Sequence, residues 1–257
     1  MYTDFRERFC LATAVLHYTA AAVTDRGRKR PSNEDAYGLS VEHGVYIVCD
    51  GMGGAAAGEI ASSLAVEEAM RVLCARDGDE SMALPGSAEE AVFAANDAIY
   101  SRAERNPRLN GMGTTLVALL ARETGVWVVN IGDSRCYRLR NRRLEQLTQD
   151  HSLVDEQVRL GRMTPAEALR SPLRNVITRA LGTQSSVTPD IFEIETDPGD
   201  LFMLCSDGLT RELSDPLIES LLSLDLRLEE LCARMVNAAK KAGGHDNITC
   251  LLVRAGG

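Results

Sequence analysis

The chain has 257 residues, 45% of them hydrophobic and 25% charged, and its 28 Lys and Arg against 37 Asp and Glu leave a formal charge of -9. This composition fits a globular protein with a sizeable core, and the acidic balance argues against nucleic acid as the main partner, because phosphate backbones are held by basic surface. No stretch approaches the roughly 18 apolar residues of a membrane span, and the N-terminus lacks the pattern of a signal peptide, so a soluble protein with no membrane partner is expected.

Residues 1–13 mix acids and bases and read as an N-terminal extension. Thr19–Val23 is the first strand-like run, followed by a basic cluster from Arg26 to Arg30 and then by Asn33-Glu34-Asp35. Val45–Cys49 is the second run. Glu59–Cys74 predicts an alanine-rich helix preceded by glycines, and Ala88–Arg105 another, with Val92, Phe93, Asn96, Ile99, Tyr100 and Ala103 on one face. Thr115–Ala121, Val126–Ile131 and Cys136–Leu139 follow as strands with turns at Gly125 and Asn141, which together predict an antiparallel meander. The polar segment 148–182 holds two short predicted helices, Ser152–Leu160 and Thr164–Arg170, the second opened by a Thr164/Glu167 capping box. Leu201–Cys205 and Ile248–Val253 are the last strands. Between them, Asp215-Pro216 reads as an N-cap and first helical residue, and Leu228, Leu231, Cys232, Met235, Val236 and Ala239 line one face of a further helix.

Helices at both ends with strands clustered between them predict an α+β sandwich, two mainly antiparallel sheets covered outside by helices, as a single domain over residues 1–257. Seven cysteines (10, 49, 74, 136, 205, 232 and 250) are an odd number with no C-x-x-C pair. They read as reduced core thiols of a cytoplasmic protein, and the four scattered histidines offer no zinc spacing.

Two apolar strands end alike. Val45–Cys49 runs into Asp50-Gly51, and Leu201–Cys205 runs into Ser206-Asp207-Gly208, while Asp246 immediately precedes Asn247 and the strand Ile248–Val253. If the last strand is antiparallel to the other two, its start lies at the same sheet edge as their ends, and the three aspartates converge. Carboxylates so close raise one another's pKa and call for a hard divalent cation; oxygen-only ligands suit Mg²⁺ or Mn²⁺. The glycine after Asp50 leaves its backbone carbonyl free to approach such an ion. A single Asp-Gly is an ordinary turn signal; three converging acids favour a metal site. Arg30 offers a fork matched to phosphate oxygens, though taken alone the Arg26–Arg30 run reads better as a solvated basic loop. Asp133, in Asn130-Ile131-Gly132-Asp133-Ser134-Arg135, reads equally as part of a hairpin turn.

Six blocks in order, Arg30-x-x-Asn33-Glu34-Asp35, Val48-Cys49-Asp50-Gly51-Met52-Gly53-Gly54, Gly111-Met112-Gly113-Thr114-Thr115, Gly132-Asp133-Ser134-Arg135, Cys205-Ser206-Asp207-Gly208-Leu209 and Asp246-Asn247-Ile248-Thr249, resemble the protein phosphatase 2C family of metal-dependent Ser/Thr phosphatases. The resemblance implies a four-layer αββα sandwich and two Mn²⁺ or Mg²⁺ ions, with Asp50 bridging them, Asp207 and Asp246 completing the first and the Gly51 carbonyl serving the second. It places Glu34 and Asp35 in the outer shell of the second ion and Arg30 on the substrate phosphate. A water activated by both ions would attack phosphorus in line, with no phosphoenzyme, so Cys49 and Cys205 need not be nucleophiles. Phosphorylated proteins and an opposing Ser/Thr kinase are the implied partners, and a monomer is expected.

Two departures stand out. Met52 replaces the histidine that many eukaryotic relatives carry as a general acid, so a water is expected to protonate the leaving oxygen. Arg211 replaces an acid that commonly joins Asp133 and Asp207 on a third ion, so that ion is expected to bind weakly. By its position the segment 148–182 resembles the family's flap beside the active site. Two other readings stay open: a phosphatase of small phosphate esters, and a phosphoprotein-binding module without activity.

Overall fold

The computed structural model describes residues 17–53, 57–75, 84–122 and 125–256; Cys10, the extension 1–13 and Gly54 lie outside them. Among the described residues the chain runs β1 (His17–Asp25), β2 (Asp35–Ser40), β3 (Val45–Met52), α1 (Ala57–Cys74) and α2 (Leu84–Arg105). It continues through β4 (Gly113–Thr114), β5 (Leu116–Arg122), β6 (Gly125–Ile131), β7 (Arg135–Arg140), β8 (Arg143–Gln146), α3 (Leu153–Arg159) and α4 (Pro165–Arg170). The last elements are β9 (Asp190–Ile194), β10 (Leu201–Cys205), α5 (Asp207–Thr210), α6 (Asp215–Leu222), α7 (Leu228–Ala242) and β11 (Ile248–Gly256).

Two antiparallel sheets result. One has the order β1-β11-β10-β7-β8 and the other β2-β3-β5-β6-β9, with β4 pairing β3. The central strands are apolar on both faces because each face meets a separate layer. In β3, β10 and β11 the alternate residues Tyr46, Val48, Phe202, Leu204, Leu251 and Val253 fill the space between the sheets. Val45, Ile47 and Cys49 face α1 and α2, while Met203, Cys205, Cys250 and Leu252 face α6 and α7. Helix, sheet, sheet, helix is therefore the layer order, as the resemblance implied. No helix among the described residues is long and apolar enough to cross a membrane.

Four expectations are corrected. Asp50 does not share a sheet with Asp207 and Asp246: β3 lies in the second sheet, while β10 and β11 pair in the first with Cys205 opposite Cys250. Asp50 therefore faces Asp207 and Asp246 from the other sheet, near enough for their charges to raise its pKa, rather than along one edge. The expected meander is two hairpins in different sheets, β5–β6 and β7–β8, because the chain crosses between sheets at Gly132; Gly132 takes a φ of 101° there. The cap of α6 is Ser214, and Asp215 and Pro216 are its first two helical residues. Finally, Phe93 is 64% exposed. The buried face of α2 is set by Ala88, Ala91, Val92, Ala95, Asn96 and Ile99, as small residues let it press closely on the alanine face of α1.

Candidate metal centre

The β2–β3 pairing places Asp35 directly opposite Asp50, an arrangement of like charges that is unfavourable unless a proton or cation intervenes. Asp35 is buried, and its Oδ2 accepts from Ser206 Oγ at 2.7 Å and Thr249 Oγ1 at 2.6 Å. Burial nonetheless pushes its pKa up to about 6, against those two hydrogen bonds. Asp50 is raised well above the carboxylate range, first by burial and then by the charges of Asp35, Asp207, Asp133 and Asp246. Asp207 is raised likewise, by burial and then by Asp133, with Arg211 opposing. Burial also raises Asp133 and Glu34, opposed by Arg211 and Arg30 respectively.

The backbone around these acids is fixed by polar side chains. The Asp50 N–H donates to Thr115 Oγ1 at 2.9 Å, and the Asp50 carbonyl accepts from the Thr115 N–H and Thr114 Oγ1. Thr115 Oγ1 in turn meets Ser134 Oγ at 2.7 Å, which ties β3 to the turn bearing Asp133. Asn247, buried beside Asp246, donates to the Arg26 and Ser32 carbonyls and accepts from the Glu34 N–H at 2.9 Å. It clamps the loop carrying Arg30 against the start of β11. Sequence reading gave Asn247, Thr115, Ser206 and Thr249 no role; their presence inside the motif blocks was the available signal.

Gly51 has no room for a side chain: a Cβ there would stand 2.1 Å from the Gly58 carbonyl oxygen, and one at Gly58 would stand 2.7 Å from Glu34 Oε2. The pair lets the first turn of α1 press against the Asp50-Gly51 backbone and Glu34.

Asp35 Oδ1, Asp133 Oδ1 and Asp207 Oδ1 are buried without a hydrogen-bond partner. Orphaned carboxylate oxygens are costly, and a hard divalent cation is the ligand whose chemistry fits an all-oxygen set of this kind. Among the described residues no three Asp, Glu, His or Cys side chains stand ready-grouped around a single point. Two arginines stand between them: Arg30 Nη2 donates to Asp246 Oδ2 at 2.8 Å, and Arg211 contacts Asp207, Asp246 and Asp133. Arg30 keeps 47% of its side chain exposed, so it remains within reach of a ligand from solvent.

The segment 148–182 begins and ends on bonds to this frame. Arg135 holds Asp150 through Nε at 2.9 Å and Nη2 at 2.7 Å, and buried Asn96 of α2 accepts from the Gly182 N–H at 2.8 Å. His151 is buried, its Nδ1 accepting from the Gly132 N–H at 3.1 Å and its Nε2 bonding Asp190 Oδ2 at 3.0 Å. Burial holds its pKa below the usual 6.5, with Asp190 opposing and Arg179 adding to the shift. The unfolded chain therefore takes up this proton first. Stability owed to neutral His151 is complete above about pH 6.5 and is lost as pH falls through the folded value. Between about pH 7 and pH 5 the melting temperature of the wild type should fall more steeply than that of His151→Gln, as read by calorimetry; parallel curves would show that the ring's ionisation is not linked to folding.

The described cysteines are free, and Cys49, Cys136, Cys205, Cys232 and Cys250 are buried. Burial pushes the Cys205 thiol up to about 12 and raises Cys49 also, so neither is a thiolate nucleophile at neutral pH.

Comparison with known proteins identifies the family. The family model described as "Protein phosphatase 2C" matches residues 25–253, and the chain belongs to that family. It is 40% identical over 239 residues to the serine/threonine phosphatase stp of Listeria monocytogenes, covering 90% of this chain and 93% of the relative. It is 42% identical over 241 residues to the serine/threonine protein phosphatase PstP of Mycobacterium tuberculosis, covering 93% of this chain and 45% of that longer protein. The crystal structure of the PstP catalytic domain in complex with two manganese ions superposes with a TM-score of 0.85 at 37% identity, over 94% of this chain and 100% of that one.

Proposed function

We propose that this chain hydrolyses phosphoserine and phosphothreonine on proteins, with two Mn²⁺ or Mg²⁺ ions held by Asp50, Asp207, Asp246 and the Gly51 carbonyl. The observation that carries the reading is the meeting of carboxylates from both sheets, several with buried unpartnered oxygens, beside a half-exposed arginine. When bound, such an ion pair lowers the pKa of a water and offsets charge on the phosphoryl oxygens. Asp50, fixed through its own backbone to Thr114 and Thr115, is suited to span both ions. Glu34 and buried Asp35 would support the second ion from its outer shell. Arg30, carried on the loop that Asn247 clamps, orients the substrate phosphate through its planar fork. Met52 has no proton to give, so the departing serine or threonine oxygen takes one from water.

The related Listeria and mycobacterial proteins bear the name serine/threonine phosphatase, which supports a phosphoprotein substrate; an opposing Ser/Thr kinase and a cytoplasmic location belong to the same proposal. The whole chain acts as one catalytic domain in this reading, with 148–182 as a flap beside the site. Phosphate release from a phosphothreonine peptide and from p-nitrophenyl phosphate, with Mn²⁺ and then with chelator, tests it. Peptide turnover that stops with chelator is expected. Turnover of the small ester alone would make it a metabolite phosphatase, and no metal-dependent turnover would make it a binding module.

A further inference from the structure

Arg211 follows α5 directly, four residues after Asp207, and its backbone N–H donates to the Asp207 carbonyl at 2.8 Å. Its guanidinium reaches carboxylates from three separate segments. Nη2 pairs closely with Asp207 Oδ2 and stands 3.6 Å from Asp133 Oδ2, while Nη1 is 3.4 Å from Asp246 Oδ2. These are the acids of the β6–β7 crossing, the end of β10 and the start of β11. Without a cation among them each would raise the pKa of the others, and the guanidinium supplies one positive charge at their centre. The Arg211 side chain is 31% exposed, so it has a route out to water.

We infer that Arg211 is a tethered counter-cation of this cluster: divalent ions reach Asp207 and Asp246 by displacing its guanidinium, and the guanidinium fills the place beside Asp133 where a further ion would sit. The inference rests on the reading of the site as a metal centre. It makes ion uptake an exchange of one cation for another. The affinity then contains the cost of breaking the arginine's contacts, while the stripped protein keeps part of the cluster's negative charge offset. The planar guanidinium lets its two Nη atoms reach different carboxylates at once, which a lysine ammonium cannot reproduce, so the fork itself is part of the device.

Calorimetric titration of the chelator-stripped protein with Mn²⁺, followed in parallel by the EPR signal of free Mn²⁺, provides the test. Arg211→Ala should bind its tightest Mn²⁺ at least about tenfold more strongly than the wild type, and Arg211→Asp should take up one Mn²⁺ more. Melting curves should cross: stripped Arg211→Ala melts below the stripped wild type, yet with saturating Mn²⁺ it melts at or above it. Should the stripped alanine variant not fold, Arg211→Lys carries the test, since losing the fork must also tighten Mn²⁺ binding. Equal or weaker Mn²⁺ affinity in the folded variants, with normal uptake by the wild type, overturns the inference alone. A wild type that takes up no Mn²⁺ removes the metal-centre reading and this inference together.

Discussion

Asp50→Asn is expected to lower Mn²⁺-dependent phosphate release by about a thousandfold, equivalent to roughly 4 kcal/mol of lost transition-state stabilisation. The change is nearly isosteric and keeps the backbone bonds to Thr114 and Thr115. It removes the ionisable group that faces Asp35 across β2 and β3, and with it the carboxylate proposed to span two ions. Its effect on folding should have the opposite sign. Asp50 is held far above the normal carboxylate range by burial and by four neighbouring acids, so the neutral amide relieves repulsion. A melting temperature of the stripped protein that is unchanged or higher, beside the collapse in kcat, is the expected pair of results. A variant retaining a tenth or more of wild-type kcat would remove Asp50 from the proposed centre.

Gly208→Ala should damage the fold and the site together. A Cβ at this position would stand 1.9 Å from the Asn247 carbonyl oxygen and 3.1 Å from Asp246 Cβ. Both neighbours immediately precede β11, which is paired on both sides by β1 and β10, and Asn247 is held further by its bonds to the Arg26 and Ser32 carbonyls, so neither can retreat cheaply. We expect a loss of about 3 kcal/mol in urea denaturation, the upper end for an overpacked position, and weaker Mn²⁺ binding as Asp246 is pushed aside. Gly199→Ala is the control: a Cβ there meets nothing within 4 Å, although φ is 94°, so its cost is about 1 kcal/mol of backbone strain. Equal losses in the two variants would show that contact with β11 is not what Gly208 avoids.

The strands legible in the sequence are those enclosed on both faces. Val45–Cys49, Leu201–Cys205 and Ile248–Val253 are continuous apolar runs because each lies between two apolar layers. Three of the strands that escaped reading, β2, β8 and β9, are all edge strands. Their sequences, Asp-Ala-Tyr-Gly-Leu-Ser, Arg-Leu-Glu-Gln and Asp-Ile-Phe-Glu-Ile, are short and broken by polar residues, so none forms a continuous apolar run. Phe93 shows the converse failure. Periodicity assigned the large apolar residue to the buried face, while close helix packing selected the alanines beside it. The carboxylates of the candidate centre were visible because each terminates or precedes an apolar run. Their supports were not, since Asn247 and Thr115 work by bonding backbone groups 65 to 221 residues away. Such a bond leaves no periodic trace.

If the proposed ions bind where these acids face one another, the seam of the sandwich becomes a determinant of their affinity. Asp50 rides on one slab and Asp207 and Asp246 on the other, joined by the layer of Tyr46, Val48, Phe202, Leu204, Leu251 and Val253. Any sliding of one slab over the other lengthens some donor distances and shortens others. Dense interior packing resists that motion, so in the proposed centre the hydrocarbon seam would be the spacer that sets the gauge between the two sets of ligands.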